Sequence, residues 1–256
     1  MQPNTAQPLA GRTALVTGAS SGIGRATALA LAEHGAGVLL AARSEDKLTE
    51  LAGSIADAQV LVMDVRNAEG VERALEGHDP DLIVCNAGLG VGVGPLQAGK
   101  PADWDKMIDT NVKGILHTVH ATLPGLLERK GGDMVLLGSV AGRQVYPGGN
   151  VYNATKHAVK AIYDALRLDT VGQGIRFTTV DPGMVETNFS VVRLSGDHAA
   201  AEAVYRGMTP LRPEDVADAI LYAVTRPPHV NVGEMVLWPT DQASTRDLHR
   251  PLDPSQ

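Results

Sequence analysis

Short runs of consecutive apolar residues alternate with longer segments of helical periodicity along the chain. Leu15-Val16 leads into a helix predicted over about 22–34, Val38 to Ala41 into one over about 44–56, and Val60 to Met63 into one over about 67–76. Leu82 to Val84 precedes a loop and a long helix over about 103–129, and Met134 to Leu137 precedes one over about 150–171. Phe177 to Val180 runs into an irregular stretch, followed by a helix at about 213–225 and a last strand around Met235 to Leu237. Strands without polar alternation, each followed by a helix, read as a parallel sheet covered on both faces. Seven of them fit one doubly wound α/β domain over residues 1–256, with tails at 1–9 and 241–256 and a loop region on the substrate side at 183–212. Ligand is expected where the strand order reverses.

Local punctuation agrees. Gly35 stands at a helix C-cap, and Pro213 with Glu214 and Asp215 suits a first helical turn. Pro227-Pro228 ends that helix, and Pro124 is expected to kink or shorten the long one. The tails are polar and Pro-containing, so they are expected to fray or to dock on a partner subunit. Gly88 to Gly94 reads as a mobile loop.

Charge and composition narrow the function. The chain has 256 residues and a net charge of −7, which argues against nucleic acid or an anionic membrane as partner. Its one cysteine, Cys85, excludes an internal disulfide and a multi-cysteine metal site. No apolar run approaches the ~18 residues of a membrane span, and Met1 to Pro8 shows no secretory pattern, so a cytoplasmic protein is expected. His117 and His120 lie at i and i+3 with no third ligand to place beside them, so no metal is assigned.

Two segments carry chemistry. The first strand runs into Thr17-Gly18-Ala19-Ser20-Ser21-Gly22-Ile23-Gly24, where glycines allow a tight turn and close approach of backbone amides to a pyrophosphate at a helix N-terminus. A site for NAD places a carboxylate at the end of the second strand; this chain has Ala41-Ala42-Arg43, a guanidinium suited to the 2′-phosphate of NADP. The second segment, Tyr152-Asn153-Ala154-Thr155-Lys156, sets a phenol and an ammonium one helical turn apart, about 6 Å along the axis. A nearby cation favours the phenolate. Ser139 follows the strand Met134–Leu137 at the carboxyl edge of the sheet. Asn111 falls beside the stripe formed by Trp104, Ile108, Val112, Ile115, Val119 and Leu123, where it either makes a structural hydrogen bond or orders a water near Lys156.

This ordered set resembles the short-chain dehydrogenase/reductase family, whose fold is a single Rossmann domain. The matching pieces are Thr17-Gly18-xxx-Gly22-Ile23-Gly24, Asp64-Val65, Asn86-Ala87-Gly88, Asn111, Ser139, Tyr152-xxx-Lys156 and Pro182-Gly183-xxx-Thr187, in order from about residue 9 to 240. The resemblance implies hydride transfer with a nicotinamide dinucleotide. Tyr152 would exchange a proton with the substrate oxygen and Ser139 would hydrogen-bond it. Lys156 would lower the Tyr152 pKa and bind the ribose, and Asn111 would hold a relay water. Gly18, Ser20, Ser21, Gly22 and Ile23 would receive the pyrophosphate; Asp64 and Val65 the adenine; Asn86, Ala87 and Gly88 would line the cofactor; and Pro182, Gly183, Val185 and Thr187 would hold the nicotinamide. Cys85 departs from the family's usual Asn-Asn-Ala-Gly, which bears on sheet bracing more than chemistry. A homotetramer is implied by the same resemblance.

Within the family, residues 107–111, 146–152, 185–190 and 229–232 are most similar to NADP-dependent 3-hydroxy acid dehydrogenases of the serine type. The implied substrate is a small 3-hydroxy acid such as serine, for which Arg143 and Arg193 are candidate carboxylate partners. A general NADPH-dependent carbonyl reductase is the alternative. A nucleotide sensor without catalysis has no need of Ser139, Tyr152 and Lys156.

Overall fold

The computed structural model describes residues 7–250. Seven parallel strands stand in the order β3-β2-β1-β4-β5-β6-β7. They are β1 (Thr13–Thr17), β2 (Gly37–Ala42), β3 (Ala58–Val62), β4 (Leu82–Cys85), β5 (Gly132–Leu137), β6 (Ile175–Pro182) and β7 (Glu234–Leu237). The order reverses between β1 and β4, so the chain leaves a crevice at their carboxyl ends, where the glycine-rich turn lies. β1, β4 and β5 are buried along nearly their whole length, which is why their sequences read as unbroken apolar runs.

Helices cover both faces. On one face lie α1 (Gly22–Glu33) and α9 (Pro213–Val224), with α2 (Glu45–Ala52) toward the β2 side. On the other lie α3 (Ala68–Leu75), α5 (Gly114–Arg129) and α6 (Asn150–Asp169). Two apolar clusters follow from this division: Val16, Leu31, Leu40 and Ile220 in one, Leu15, Ile83, Met134 and Tyr163 in the other. Successive residues of β1 point to opposite clusters, as the strand period requires.

Four expectations are corrected. The long helix is interrupted by a π-helical turn at Asp109–Lys113, between α4 (Pro101–Ile108) and α5, whereas Pro124 is accommodated inside α5. The extra residue of a π turn changes the phase between α4 and α5: Ile115 and Val119 of the expected stripe are buried, but on the α4 side the buried residue is Met107 and Ile108 is 38% exposed. The stretch after β6 contains two short helices, α7 (Phe189–Arg193) and α8 (His198–Ala203). The 88–94 loop is pinned: Gly92 N donates to Arg193 O, Gly94 N to Gly148 O, and Asn150 Nδ2 to Gly94 O. The described parts of the tails are packed: Leu9 is buried under α1, and buried Gln242 forms an antiparallel bridge with Leu248. Residues 1–6 and 251–256 of the tails lie outside the described residues.

Candidate active site

The carboxyl ends of β1 and β4 are tied before the crevice opens. Thr17 Oγ1 accepts from the backbone amides of Asn86 and Ala87, each at 3.0 Å, and Asn86 Nδ2 donates to Thr17 O at 2.8 Å. Gly18 and Gly22 adopt φ of +69° and +53°. A Cβ at Gly24 would collide with Asn86 Nδ2 and Gly18 O, and one at Gly18 would lie 2.8 Å from Asn86 Nδ2. Only hydrogen fits there, which lets backbone approach backbone closely. Ser21, at the N-cap of α1, makes no capping bond, and the first turn of α1 carries no acidic residue. The helix therefore presents uncapped amides and the positive end of its dipole to the crevice.

That crevice is a cavity of about 360 Å³. Twelve of the expected cofactor residues line it: Gly18, Ser20, Ser21, Gly22, Ile23, Arg43, Asp64, Val65, Asn86, Ala87, Gly88 and Thr187. Arg43, Lys47 and Arg66 stand together along its wall beyond β2 and β3. Asp64 is engaged by Arg66, with Nη2 at 2.6 Å from Oδ2, and this hydrogen bond holds its carboxyl below the usual range. Lys47, Arg66 and the α7 residues Phe189 and Val192 did not emerge from the sequence; they lack motif spacing and are gathered only by tertiary folding. Tyr152, Lys156, Pro182, Gly183 and Val185, the other five residues expected at the cofactor, do not line the cavity: Gly183 packs against Gln242, and Val185 bridges Leu211 and accepts from Tyr205 Oη at 2.8 Å.

Ser139, Tyr152 and Lys156 come together at the ends of β5 and α6. All three are buried, at 9%, 9% and 7% exposure. Lys156 Nζ donates to Leu137 O at 2.8 Å and stands 5.9 Å from the Tyr152 ring centroid. Burial lowers the Lys156 pKa to about 8. Burial also pushes the Tyr152 phenol up to about 12; Tyr146 adds to this, while the neighbouring Ser139 hydroxyl and the Arg193 charge oppose it. The net shift in this state is upward, against the lowering expected from Lys156. Desolvation outweighs the charge effects.

Asn111 sits in the π turn and is 1% exposed. Its Nδ2 donates to Leu89 O at 2.8 Å and to Thr155 Oγ1 at 3.0 Å, and its Oδ1 accepts from Leu89 N at 2.8 Å. Both amide hydrogens are used, so the side chain is a clamp between the 88–94 loop and α6, and the water-holding role read for it is not one its NH₂ performs. His117 Nδ1 rests on Val65 O at 2.8 Å. Cys85 is buried and its thiol is pushed up to about 12 by desolvation, so it is a packing residue.

The two arginines part company. Arg143 Nε donates to Asp181 Oδ2 at 2.7 Å and Nη2 to Glu234 Oε2 at 2.5 Å, so its guanidinium is already held by two carboxylates and is not the substrate clamp the sequence suggested. Arg193, on α7, stacks 5.2 Å from the Tyr152 ring centroid and 5.4 Å from that of Tyr146, and forms no ion pair among the described residues. Phe189, on the same short helix, tilts against Tyr152 with ring centroids 5.5 Å apart. Thus α7 covers the phenol with one aromatic ring and one cation.

Comparison with known proteins agrees with this arrangement. The family described as short chain dehydrogenase matches residues 12–196. The chain is 44% identical over 238 residues to sulfoacetaldehyde reductase 2 of Chromohalobacter salexigens, covering 90% of this chain and 94% of that protein. It is 39% identical over 244 residues to the NADP-dependent 3-hydroxy acid dehydrogenase YdfG of Escherichia coli, covering 92% and 98%. The solved closed form of a serine dehydrogenase complexed with NADP+ superposes with a TM-score of 0.89 at 37% identity, covering 93% of this chain and 99% of that one.

Proposed function

The chain belongs to the short chain dehydrogenase family of oxidoreductases, and we propose that it interconverts a carbonyl and a hydroxyl on a small acidic substrate with NADP(H). The sequence points to a 3-hydroxy acid such as serine; the similarity to a sulfoacetaldehyde reductase widens the acid group to carboxylate or sulfonate. The observation that carries the reading is Arg193: a guanidinium with no ion-pair partner among the described residues, its Cζ 5.2 Å from the centroid of the Tyr152 ring. In a general carbonyl reductase the same cation would serve the Tyr152 phenol alone, and the charge dependence of the substrate series separates the two readings.

The cofactor fits the residues present. The glycine turn leaves room only for backbone, α1 offers uncapped amides for a pyrophosphate, and Arg43 and Lys47 supply positive charge where the 2′-phosphate of NADP would lie, while Arg66 beside them is held by Asp64. No carboxylate at the end of β2 competes for a free ribose hydroxyl. When bound, the nicotinamide supplies or accepts the hydride. In the direction of reduction, Ser139 Oγ orients the carbonyl oxygen and Tyr152 donates its proton to it, a role suited to a phenol held protonated at neutral pH. Lys156, cationic below about pH 8, lies one turn away to favour the phenolate left behind. Arg193 holds the acid end of the substrate while Phe189 excludes water.

A spectrophotometric screen following NADPH with sulfoacetaldehyde, serine and other 3-hydroxy acids, neutral alcohols and neutral aldehydes tests the substrate class. Tyr152→Phe tests the proton donor; turnover equal to the parent's would end that assignment. Cytoplasmic location and a homotetramer belong to the same proposal. Support for association comes from the apolar recess on α5 lined by Leu116, Val119, Leu123 and Leu127, and light scattering measures the subunit number.

A further inference from the structure

Beneath the Ser139 turn lies a chain of charges that the proposed chemistry does not use directly. Asp181 is on β6 and Glu234 on β7; Thr179, which pairs with Glu234 in register, precedes Asp181 by two residues, so both carboxylates share one face of the sheet. Arg143 bridges them, with Nη2 2.6 Å from Asp181 Oδ2 and 2.5 Å from Glu234 Oε2. Lys160 of α6 closes the outer end, 3.3 Å from Glu234 Oε1 and 2.6 Å from Asp164. The inner end reaches the catalytic backbone. Asp181 is 5% exposed, and a Cβ at Gly138 would collide with its Oδ1. The Lys156 ammonium hydrogen-bonds the carbonyl of Leu137, so carboxylate and ammonium flank the same Leu137–Gly138 peptide. On the other side, a Cβ at Gly142, the residue before Arg143, would lie 2.5 Å from Lys156 O.

We infer that Asp181 and Arg143 are positioning residues for the Ser139–Tyr152–Lys156 set: they anchor the Ser139 turn to the sheet edge and act with opposite sign on the ammonium of Lys156. The inference rests on the proposed function for its purpose, and on the geometry for its substance. A buried carboxylate favours the charged ammonium, and the guanidinium bound to that carboxylate cancels part of the effect. The couplings agree: burial lowers Lys156 and Asp181 opposes this, while burial raises Asp181 and Arg143 and then Lys156 oppose that. Other charged or titratable groups in the neighbourhood are Tyr152 and His157 on the same helix, the latter with Nδ1 2.8 Å from Asn153 O, Tyr146 and the Arg193 of α7 beyond the Tyr152 ring, and Glu234 and Lys160 at the outer end of the chain. From the π turn, Asp109 pairs outward with Lys113, and Asn111 is neutral.

The test is the titration of Lys156 in the cofactor-free protein, followed by carbon NMR of lysine labelled at Cε and assigned with Lys156→Arg. Asp181→Asn is expected to move the midpoint from about 8 to lower pH, and Arg143→Met to move it higher, each by on the order of one pH unit. Glu234→Gln, at a half-exposed position remote from the peptide, gives a smaller downward shift and remains informative if Asp181→Asn does not fold. The alkaline limb of the pH profile of kcat for NADPH oxidation is expected to move with each titration. Displacements of the same sign in Asp181→Asn and Arg143→Met, or none, overturn the inference, because a purely structural brace has no reason to give opposite signs. A parent protein that never turns over NADPH, yet shows the opposite displacements, refutes the proposed activity and leaves the coupling intact.

Discussion

Replacing Arg193 by alanine removes the one cation that α7 brings over Tyr152, and its effect should depend on the charge of the substrate. The guanidinium lies 5.2 Å from the Tyr152 ring and 5.4 Å from the Tyr146 ring, half-buried and held by stacking with no carboxylate among the described residues. A hydrogen-bonded pair between this group and an acid substrate is worth roughly 1.5–3 kcal/mol, which at about 1.4 kcal/mol per decade corresponds to roughly 10–100-fold in kcat/KM. A neutral substrate loses no such pair. It loses only the help that Arg193 gives the phenol and the order it lends Tyr146, on the order of 0.5–1 kcal/mol for an accessible cation over a ring, or roughly two- to fivefold. The assay is a matched pair of aldehydes of similar size, one with a carboxylate or sulfonate and one with a hydroxymethyl group, reduced by parent and Arg193→Ala. Arg193→Lys keeps the charge but not the planar fork, and should fall between them for the acid. An equal loss on both aldehydes, or no loss on either, refutes the reasoning and makes Arg193 a packing residue.

Other consequences follow from the same geometry. Arg43→Ala should weaken NADPH roughly tenfold in a calorimetric titration and leave NADH unaffected, because only the former carries the phosphate the guanidinium would meet. Lys156→Met should abolish turnover yet stabilise the fold near neutral pH. The Lys156 pKa is about 8 folded against 10.5 for the ordinary group, so the unfolded chain binds the proton more tightly. The buried ammonium therefore costs the parent on the order of 3–4 kcal/mol well below pH 8. The advantage of Lys156→Met in thermal denaturation should shrink as pH rises from about 8 to 10.5, and a constant advantage would contradict the burial argument. Gly24→Ala forces a methyl group onto Asn86 and the Gly18 carbonyl, with an expected destabilisation of about 1–3 kcal/mol and loss of NADPH binding. Oxidation of the alcohol should quicken with pH above neutrality, since it needs the phenolate of a group whose pKa is pushed up to about 12; a flat oxidation profile from pH 7 to 10 would argue against Tyr152 as base.

The chain itself determined the layered α/β fold and most of the cofactor turn. Unbroken apolar runs between helical segments can satisfy themselves only as a parallel sheet covered on both faces, and Gly18 and Gly22 mark the turn whose backbone needs positive φ. Tyr152 and Lys156 were legible because a helix converts a spacing of four into adjacency. Other features depend on contacts between residues far apart in sequence, for which no local period exists. Asn111 became a clamp because a π turn rotated it toward Leu89 and Thr155. Arg143 and Arg193 looked equivalent as isolated basic residues; only packing gave the first two carboxylates, 38 and 91 residues away, and set the second over the phenol. The sign of the Tyr152 shift was likewise decided in three dimensions, because desolvation depends on what covers the ring and not on which cation stands one turn along the helix.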